Sequence, residues 1–322
     1  MDERREQANG SAQAASAGAG TSSEGRHGRR NTLRGVVLTL VGGTCWGFSG
    51  TCAKFLMDGY AIDPVWLVWA RHLGACGLFL AFACVANRDK VADLVRTRGG
   101  DASSRVLLVL TALSTMANAL FYLLCVDATN SATATVLQTL ALVLLMAFAC
   151  VTARRLPHAR ESLGVVLALG GTVLLATGGN LTRLAIPELG LVFGLLCALT
   201  YALYSGLPAK ILPRWGSPLI NGVSMLVSGL VLTVAIRPWE HMPQLDAAGI
   251  GWLAIIIVVG TFCAYALYMQ GVRDLGPLRA SMLGTIEPVS ATVFSALWLG
   301  TTFTPFDITG FAMIILMVYL TA

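Results

Sequence analysis

Ten apolar runs, each about long enough to cross a lipid bilayer, dominate this sequence of 322 residues. A helix needs roughly 20 predominantly apolar residues to cross the hydrocarbon layer, where its backbone groups find no partners outside the segment. The pattern therefore predicts an all-α membrane protein with ten transmembrane helices. The runs cover residues 36–57, 64–85, 106–126, 129–151, 163–179, 189–209, 218–236, 249–271, 280–299 and 306–322.

The composition agrees with a chain that is mostly immersed in lipid. Charged residues make up 12% of the sequence and hydrophobic residues 56%, whereas roughly a quarter of a soluble domain is charged. This composition excludes a secreted disulfide scaffold, a disordered regulator and a partner for nucleic acid. No Walker motif, dinucleotide fingerprint or metal-ligand cluster occurs in the sequence, so we expect neither a cofactor nor a metal, and no direct ATP hydrolysis.

Basic residues are distributed unequally between the two ends of the predicted helices. Of the 22 Lys and Arg residues, 18 lie in the amino-terminal tail and the even-numbered loops, and the odd-numbered loops hold only Arg183 and Arg237. Because basic loops stay on the cytoplasmic side, we predict a multi-pass protein of the plasma or inner membrane with both termini in the cytoplasm. Residues 1–33 have almost no bulky apolar group, and we predict that they form a disordered cytoplasmic tail.

The two halves of the chain can be aligned with each other, which predicts an internal repeat. Each half contains five predicted helices, an odd number, so the second copy enters the membrane from the opposite face. We therefore predict two inverted repeats, 34–180 and 185–322, an architecture typical of secondary transporters with a site near the bilayer midplane. The aligned pairs include Gly35 with Gly190, Trp46 with Tyr201, Tyr122 with Tyr268, Ala134 with Ala280, and Thr139 with Thr285.

Four segments resemble the EamA family of the drug/metabolite transporter superfamily. They are GGTCWGFSGTCAKF (42–55), DPVWLVWARHLGA (63–75), the predicted fourth helix with its basic end (131–157), and GPLRASMLGTIEPVSATVFSALWLG (276–300). The resemblance implies a ten-helix carrier for a small metabolite, often an amino acid or a relative, and often exported. The family's fourth helix often has a proline where this chain has Leu142, so the resemblance carries a proline kink over to the second half only.

Glu287 and Arg71 are ionisable residues inside predicted helices, and the sequence allows each of them either a role in transport or a structural role. A charge at mid-bilayer is costly and needs a partner or a wet cavity. Glu287 either coordinates substrate and titrates protons, or it clamps its helix through hydrogen bonds to backbone near the kink at Pro288. Arg71 either binds a substrate carboxylate through its planar guanidinium, or it forms a structural salt bridge with Asp58, Asp63 or Asp127.

Polar and aromatic residues within the predicted helices are further candidates for the substrate path, because binding pockets combine apolar walls with a few polar groups. For any one of them, ordinary packing or interhelical hydrogen bonding is the alternative. These candidates are Trp46, Tyr201, Asn118, Gln138, Tyr122, Tyr265 and Tyr268.

The sequence thus favours a secondary transporter that works by alternating access, with a small molecule, the bilayer and, if Glu287 titrates, protons as partners. A flippase for lipid-linked substrates is an alternative, since related folds handle such cargo. An intramembrane serine protease using Ser49 in Gly47-Phe48-Ser49-Gly50, with His72 as the base, is a second. We disfavour the protease because short glycine-flanked motifs recur by chance in a chain with 34 glycines, and because Gly43 and Gly47 indicate close helix packing.

Overall fold

The computed structural model describes residues 3–156, 158–180, 184–275 and 277–321, and its regular structure in these ranges is entirely helical. Within these ranges it describes the side chains from Thr32 onward, except those of residues 149, 277, 278, 281, 282 and 321. A π-helical turn at Val258–Cys263 and 3₁₀ segments at Leu207–Lys210 and Pro238–Glu240 join some of the α-helices. The α-helices are α1 Glu3–Tyr60, α2 Pro64–Ala86, α3 Arg88–Arg96, α4 Ala102–Ala128, α5 Ser131–Gln138, α6 Ala141–Thr152, α7 Ala159–Thr177, α8 Glu188–Gly206, α9 Leu212–Trp215, α10 Ser217–Ile236, α11 Ala247–Ile257, α12 Ala264–Leu275, α13 Pro277–Gly284, α14 Ile286–Leu299 and α15 Pro305–Thr321.

Ten membrane crossings account for these helices, as the sequence predicts. In the described part of the chain, eight segments are long and apolar enough to span a bilayer, and two shorter apolar helices, Ile286–Leu299 and Pro305–Leu320, supply the ninth and tenth crossings. The fourth crossing is α5 followed by α6, and the eighth is α11, the π-helical turn and α12. Within α1 the membrane segment is Thr32–Tyr60. Helix α1 itself starts at Glu3, within the segment 1–33. The disorder of that segment stays a prediction, since its side chains before Thr32 lie outside the described part.

The main helix contacts join the two halves in symmetric pairs. Helix α1 packs against α12 and α14 of the second half, and α8, which begins the second half, packs in the same manner against α4 and α5. Helix α2 packs against its counterpart α10, and α7 packs against α15. This exchange of contacts is what an inverted repeat of five helices requires, and it places the interface between the halves at the centre of the molecule.

Small residues allow α1 to approach the ninth crossing closely. A Cβ atom at Gly47 would overlap Ser290 Oγ and the backbone oxygen of Glu287, and one at Gly43 would overlap the side chain of Ile286. Glycines four residues apart therefore form the contact surface, as expected for helices that pack in a membrane. The contact fixes the backbone of Glu287 against α1.

Helix α3 links the halves outside the membrane, at the end of the bundle that carries the basic loops. Asp93 accepts hydrogen bonds from Arg214 Nε at 2.7 Å and from Trp215 Nε1 at 2.9 Å. These donors hold the pKa of Asp93 below its usual range. Val91 and Leu94 pack against a small core that includes the fully buried Trp215, so this link combines apolar packing with an ion pair.

Candidate functional site

The fourth and ninth crossings are interrupted at equivalent positions, next to the centre of the molecule. Helix α13 ends at Gly284 and α14 starts at Ile286, with Thr285 in a turn between them. Pro288 has no N–H to donate to the carbonyl of Gly284, four residues earlier, so the interruption lies where its missing hydrogen bond would be.

The fourth crossing breaks at the same place in the repeat without a proline. Helix α5 ends at Gln138 and α6 starts at Ala141, although Leu142 occupies the position equivalent to Pro288. Thr139 Oγ1 donates to the carbonyl of Val136 at 2.6 Å, and the N–H of Leu142 donates to the carbonyl of Thr139 at 3.0 Å. Bonds over three residues tighten the turn, as a 3₁₀ segment does, so the kink is present in both halves and not in the second half alone.

Glu287 lies in the first turn of α14, directly after the interruption. Its carboxylate has neither a hydrogen bond nor an ion pair with any residue that the structure describes, and its side chain is only partly buried. The hydrogen bond nearby comes instead from Ser290 Oγ to the backbone oxygen of Glu287, at 2.9 Å. Within the described ranges, the helix clamp through the carboxylate is therefore not formed.

Side chains from four other helices surround Glu287. Each interacts electrostatically with its carboxylate, and together they come from both halves of the chain. They are Arg71 on α2, Tyr122 on α4, Cys197 and Tyr201 on α8, and Tyr268 on α12. The structure thus brings together four of the predicted site residues around one unpaired carboxylate at the interface between the repeats.

Arg71 is held by a neutral partner. Its Nε donates to Thr261 Oγ1 in the π-helical turn at 2.8 Å, and its terminal nitrogens have no hydrogen bond with the part of the chain described. The alternative role, a structural salt bridge with Asp58, Asp63 or Asp127, is not formed among the described residues.

The three aspartates have other partners or other functions at the end of the bundle. Lys54 Nζ lies 3.1 Å from the carboxylate of Asp58 and donates to the backbone oxygen of Asp127 at 2.8 Å. Asp63 caps α2 by accepting from the N–H groups of Val65 and Trp66. The carboxylates of Asp58 and Asp63 are therefore engaged by local structure, and neither pairs with Arg71.

The remaining candidates fall into separate clusters. Trp46 packs against Tyr268 with ring centroids 4.9 Å apart, which places it beside the Glu287 cluster. Gln138 Nε2 donates to Asn118 Oδ1 at 3.4 Å, close to the interruption in the fourth crossing. Tyr265 instead packs edge-on against Phe79 at 5.3 Å, and no electrostatic interaction with Glu287 is found for it.

Ser49 and His72 do not form a catalytic pair. His72 Nδ1 shares a hydrogen bond of 2.6 Å with Ser228 Oγ. Ser49 Oγ is buried without a hydrogen-bond partner, and a Cβ atom at Gly260 would overlap the Ser49 side chain. The structure therefore gives Ser49 a packing position against the π-helical turn.

Sequence reasoning missed Thr261 and a buried chain of hydroxyl groups. Thr51 Oγ1 lies 3.0 Å from Ser131 Oγ, which lies 2.9 Å from Ser295 Oγ, so the chain connects α1, α5 and α14. No sequence signal distinguishes these from the many other Ser and Thr residues in the helices. Thr261 is distinguished only by the structure, where it lies in a π-helical turn, and such turns often occur at functional sites.

Comparison with known proteins decides the family. The model of the EamA-like transporter family matches residues 33–177 and 188–322, which are the two repeats. The chain belongs to the EamA-like transporter family. Its members are membrane transporters, so the polar cluster lies at the centre of a transporter fold.

Similar proteins cover nearly the whole chain. The inner membrane transporter YicL of Salmonella typhimurium is 31% identical over 90% of this chain and 95% of its own length. A transporter of Methanothermobacter thermautotrophicus is 24% identical over 87% of this chain and 81% of its own. A crystal structure with 13% identity and a TM-score of 0.59 covers 91% of this EamA-like chain and 96% of the other, and this likeness shows the fold alone.

Proposed function

We propose that this protein is a secondary transporter of the inner membrane that moves a small zwitterionic metabolite, an amino acid or a close relative, by alternating access. The observation that carries the proposal is the pairing of an unpartnered carboxylate, Glu287, with a guanidinium, Arg71, whose terminal nitrogens are free among the described residues. No ion pair joins the two groups among the described residues, so each is left for a ligand to satisfy.

The chemistry of the two groups supports a zwitterion. A planar guanidinium can bind a carboxylate through two parallel hydrogen bonds. A carboxylate can bind an ammonium group, and the aromatic rings of Trp46, Tyr268 and Tyr201 nearby offer apolar walls and cation–π contacts. Because charges in a membrane are costly unless compensated, a ligand that satisfies both groups at once is favoured over one that satisfies only one.

The inverted repeats support the transport cycle. Two similar bundles of opposite orientation can rock about a shared central site, and the broken fourth and ninth crossings lie beside that site in each bundle. Proton coupling through Glu287 and export as the direction of transport are parts of this proposal.

Counterflow exchange in proteoliposomes tests the substrate class. Purified protein is reconstituted with unlabelled amino acids inside, and the uptake of each labelled amino acid is measured. We expect at least one amino acid to exchange, and its deaminated acid and its decarboxylated amine to compete about tenfold less well, since each lacks one charge. Equal competition by either single-charge analogue would contradict recognition of a zwitterion.

Cysteine labelling tests the proposed orientation, with both termini in the cytoplasm. Gly59→Cys and His241→Cys should react with a membrane-impermeant maleimide added to intact cells, because they lie in the loops poor in Lys and Arg. Ala92→Cys and Leu156→Cys, in basic loops, should react only after the membrane is opened. The unmodified protein, with its eight native cysteines, supplies the background, and the reverse pattern would overturn the orientation.

A further inference from the structure

Thr261 occupies an unusual position, because its hydroxyl group serves two helices at once. Its Oγ1 donates to the carbonyl of Ile256, five residues earlier, at 2.9 Å, and the same oxygen accepts from Arg71 Nε at 2.8 Å. Other threonines of the protein, such as Thr39 and Thr51, donate to the carbonyl four residues earlier, in ordinary α-helical geometry. The π-helical turn therefore moves the hydroxyl to where it can meet α2.

The hydrogen positions in this pair follow from the chemistry of the groups. Arginine has five N–H donors and no acceptor, so Arg71 Nε must donate. The hydroxyl of Thr261 has a single proton, which is committed to Ile256, and its oxygen lone pair faces Arg71. The side chain of Thr261 is 4% exposed, which leaves it little freedom to rotate away.

The consequence for Arg71 is a fixed orientation without an ion pair to any described residue. With Nε engaged, the edge formed by Nη1 and Nη2 is the pair of donors left for a carboxylate. A neutral hydroxyl holds the guanidinium without cancelling its charge, whereas an aspartate at this place would have made a closed ion pair.

We propose that Thr261 is a positioning residue that aims the terminal nitrogens of Arg71 into the site and thereby sets selectivity for substrates with a carboxylate. This inference rests on the proposed function. Removing the hydroxyl frees the guanidinium to rotate away from the site, which takes the oriented pair of donors from the substrate carboxylate and leaves Glu287 available for the ammonium group.

The first experiment measures Arg71 directly and needs no substrate. Phenylglyoxal modifies the terminal nitrogens of arginine, and the modified Arg71 peptide is quantified by mass spectrometry in detergent-solubilised protein. Thr261→Val, which keeps the shape but loses the hydroxyl, should reduce the rate of Arg71 modification at least threefold. Thr261→Ser should restore it, and Thr261→Ala replaces Thr261→Val if that variant does not fold.

Thr115→Val is the matched control. Thr115 is buried within α4, and its hydroxyl donates only to the carbonyl of Thr111 in the same helix, at 2.8 Å. Its replacement should leave Arg71 modification unchanged. An unchanged rate in Thr261→Val, or a failure of Thr261→Ser to restore the rate, would overturn the inference.

The second experiment uses the amino acid that exchanges fastest in the counterflow panel, together with its primary amide. Thr261→Val should raise the half-saturation concentration for the amino acid about tenfold, as expected for one hydrogen bond to a charged group. It should leave the maximal rate and competition by the amide within about twofold. An equal loss for acid and amide would contradict carboxylate selectivity. If no amino acid exchanges with the wild-type protein, the proposed function fails, and Arg71 modification alone decides the role of Thr261.

Discussion

Glu287→Gln is expected to abolish the acceleration of transport by a pH gradient while some exchange down a concentration gradient remains. Glutamine keeps the size and hydrogen-bonding capacity of the side chain but cannot bind or release a proton at neutral pH. A proton-coupled carrier needs a group that changes its protonation as the site changes sides, and Glu287 is the carboxylate found among the described side chains at the interface between the repeats. Uptake into proteoliposomes, with pH equal and unequal across the membrane, measures the effect.

Two further variants sharpen this test. Glu287→Ala should reduce both the gradient response and the exchange, because it also removes the group expected to bind the ammonium. Glu188→Gln, at the exposed start of α8, changes a carboxylate away from the site and should behave as the wild type does. A normal gradient response in Glu287→Gln would exclude Glu287 as the coupling group and return it to a structural role.

Arg71→Lys is expected to lower the affinity for a carboxylate-bearing amino acid by about tenfold or more while the protein stays folded. Lysine keeps the positive charge but lacks the planar pair of donors, and it cannot reproduce the bond from Nε to Thr261 together with two bonds to substrate. The half-saturation concentration in counterflow and the melting temperature in detergent measure the two parts of this prediction.

Lys54→Arg provides the comparison for charge and size. Lys54 interacts with Asp58 and with the backbone of Asp127, away from the Glu287 cluster, so its replacement should leave the affinity within about twofold of the wild type. If Arg71→Lys instead loses expression or thermal stability while the surviving protein transports normally, Arg71 is a structural residue and leaves the binding site.

Much of the architecture could be predicted from local pattern. The length of an apolar run and the absence of charges within it are properties of contiguous residues, and lipid permits only a helix for such a run. The repeat was visible because equivalent positions keep similar residues, such as Tyr122 and Tyr268. The orientation stays a prediction, because the distribution of basic residues between loops is a statistical preference.

The details of the site depended on contacts between segments far apart in sequence. Leu142 gave no reason to expect an interruption in the fourth crossing, yet the turn at Thr139 forms there because hydrogen bonds over three residues and the packing of the opposite half stabilise it. Likewise, charge alone makes Asp58 and Asp63 suitable partners for Arg71. Instead, Asp58 pairs with Lys54 near the end of α1, and Asp63 caps the start of α2.

The sequence by itself determined the class of this protein: ten helices, two inverted repeats and a few ionisable residues that a membrane tolerates only for a reason. Tertiary structure alone decided that Arg71 meets Thr261 and that it lies near Glu287 without an ion pair between them. The physical reason is that hydropathy is summed along one helix, whereas a hydrogen bond of 2.8 Å requires that α2 and a π-helical turn 190 residues later approach each other with the correct rotation. No periodic pattern in either segment encodes that rotation.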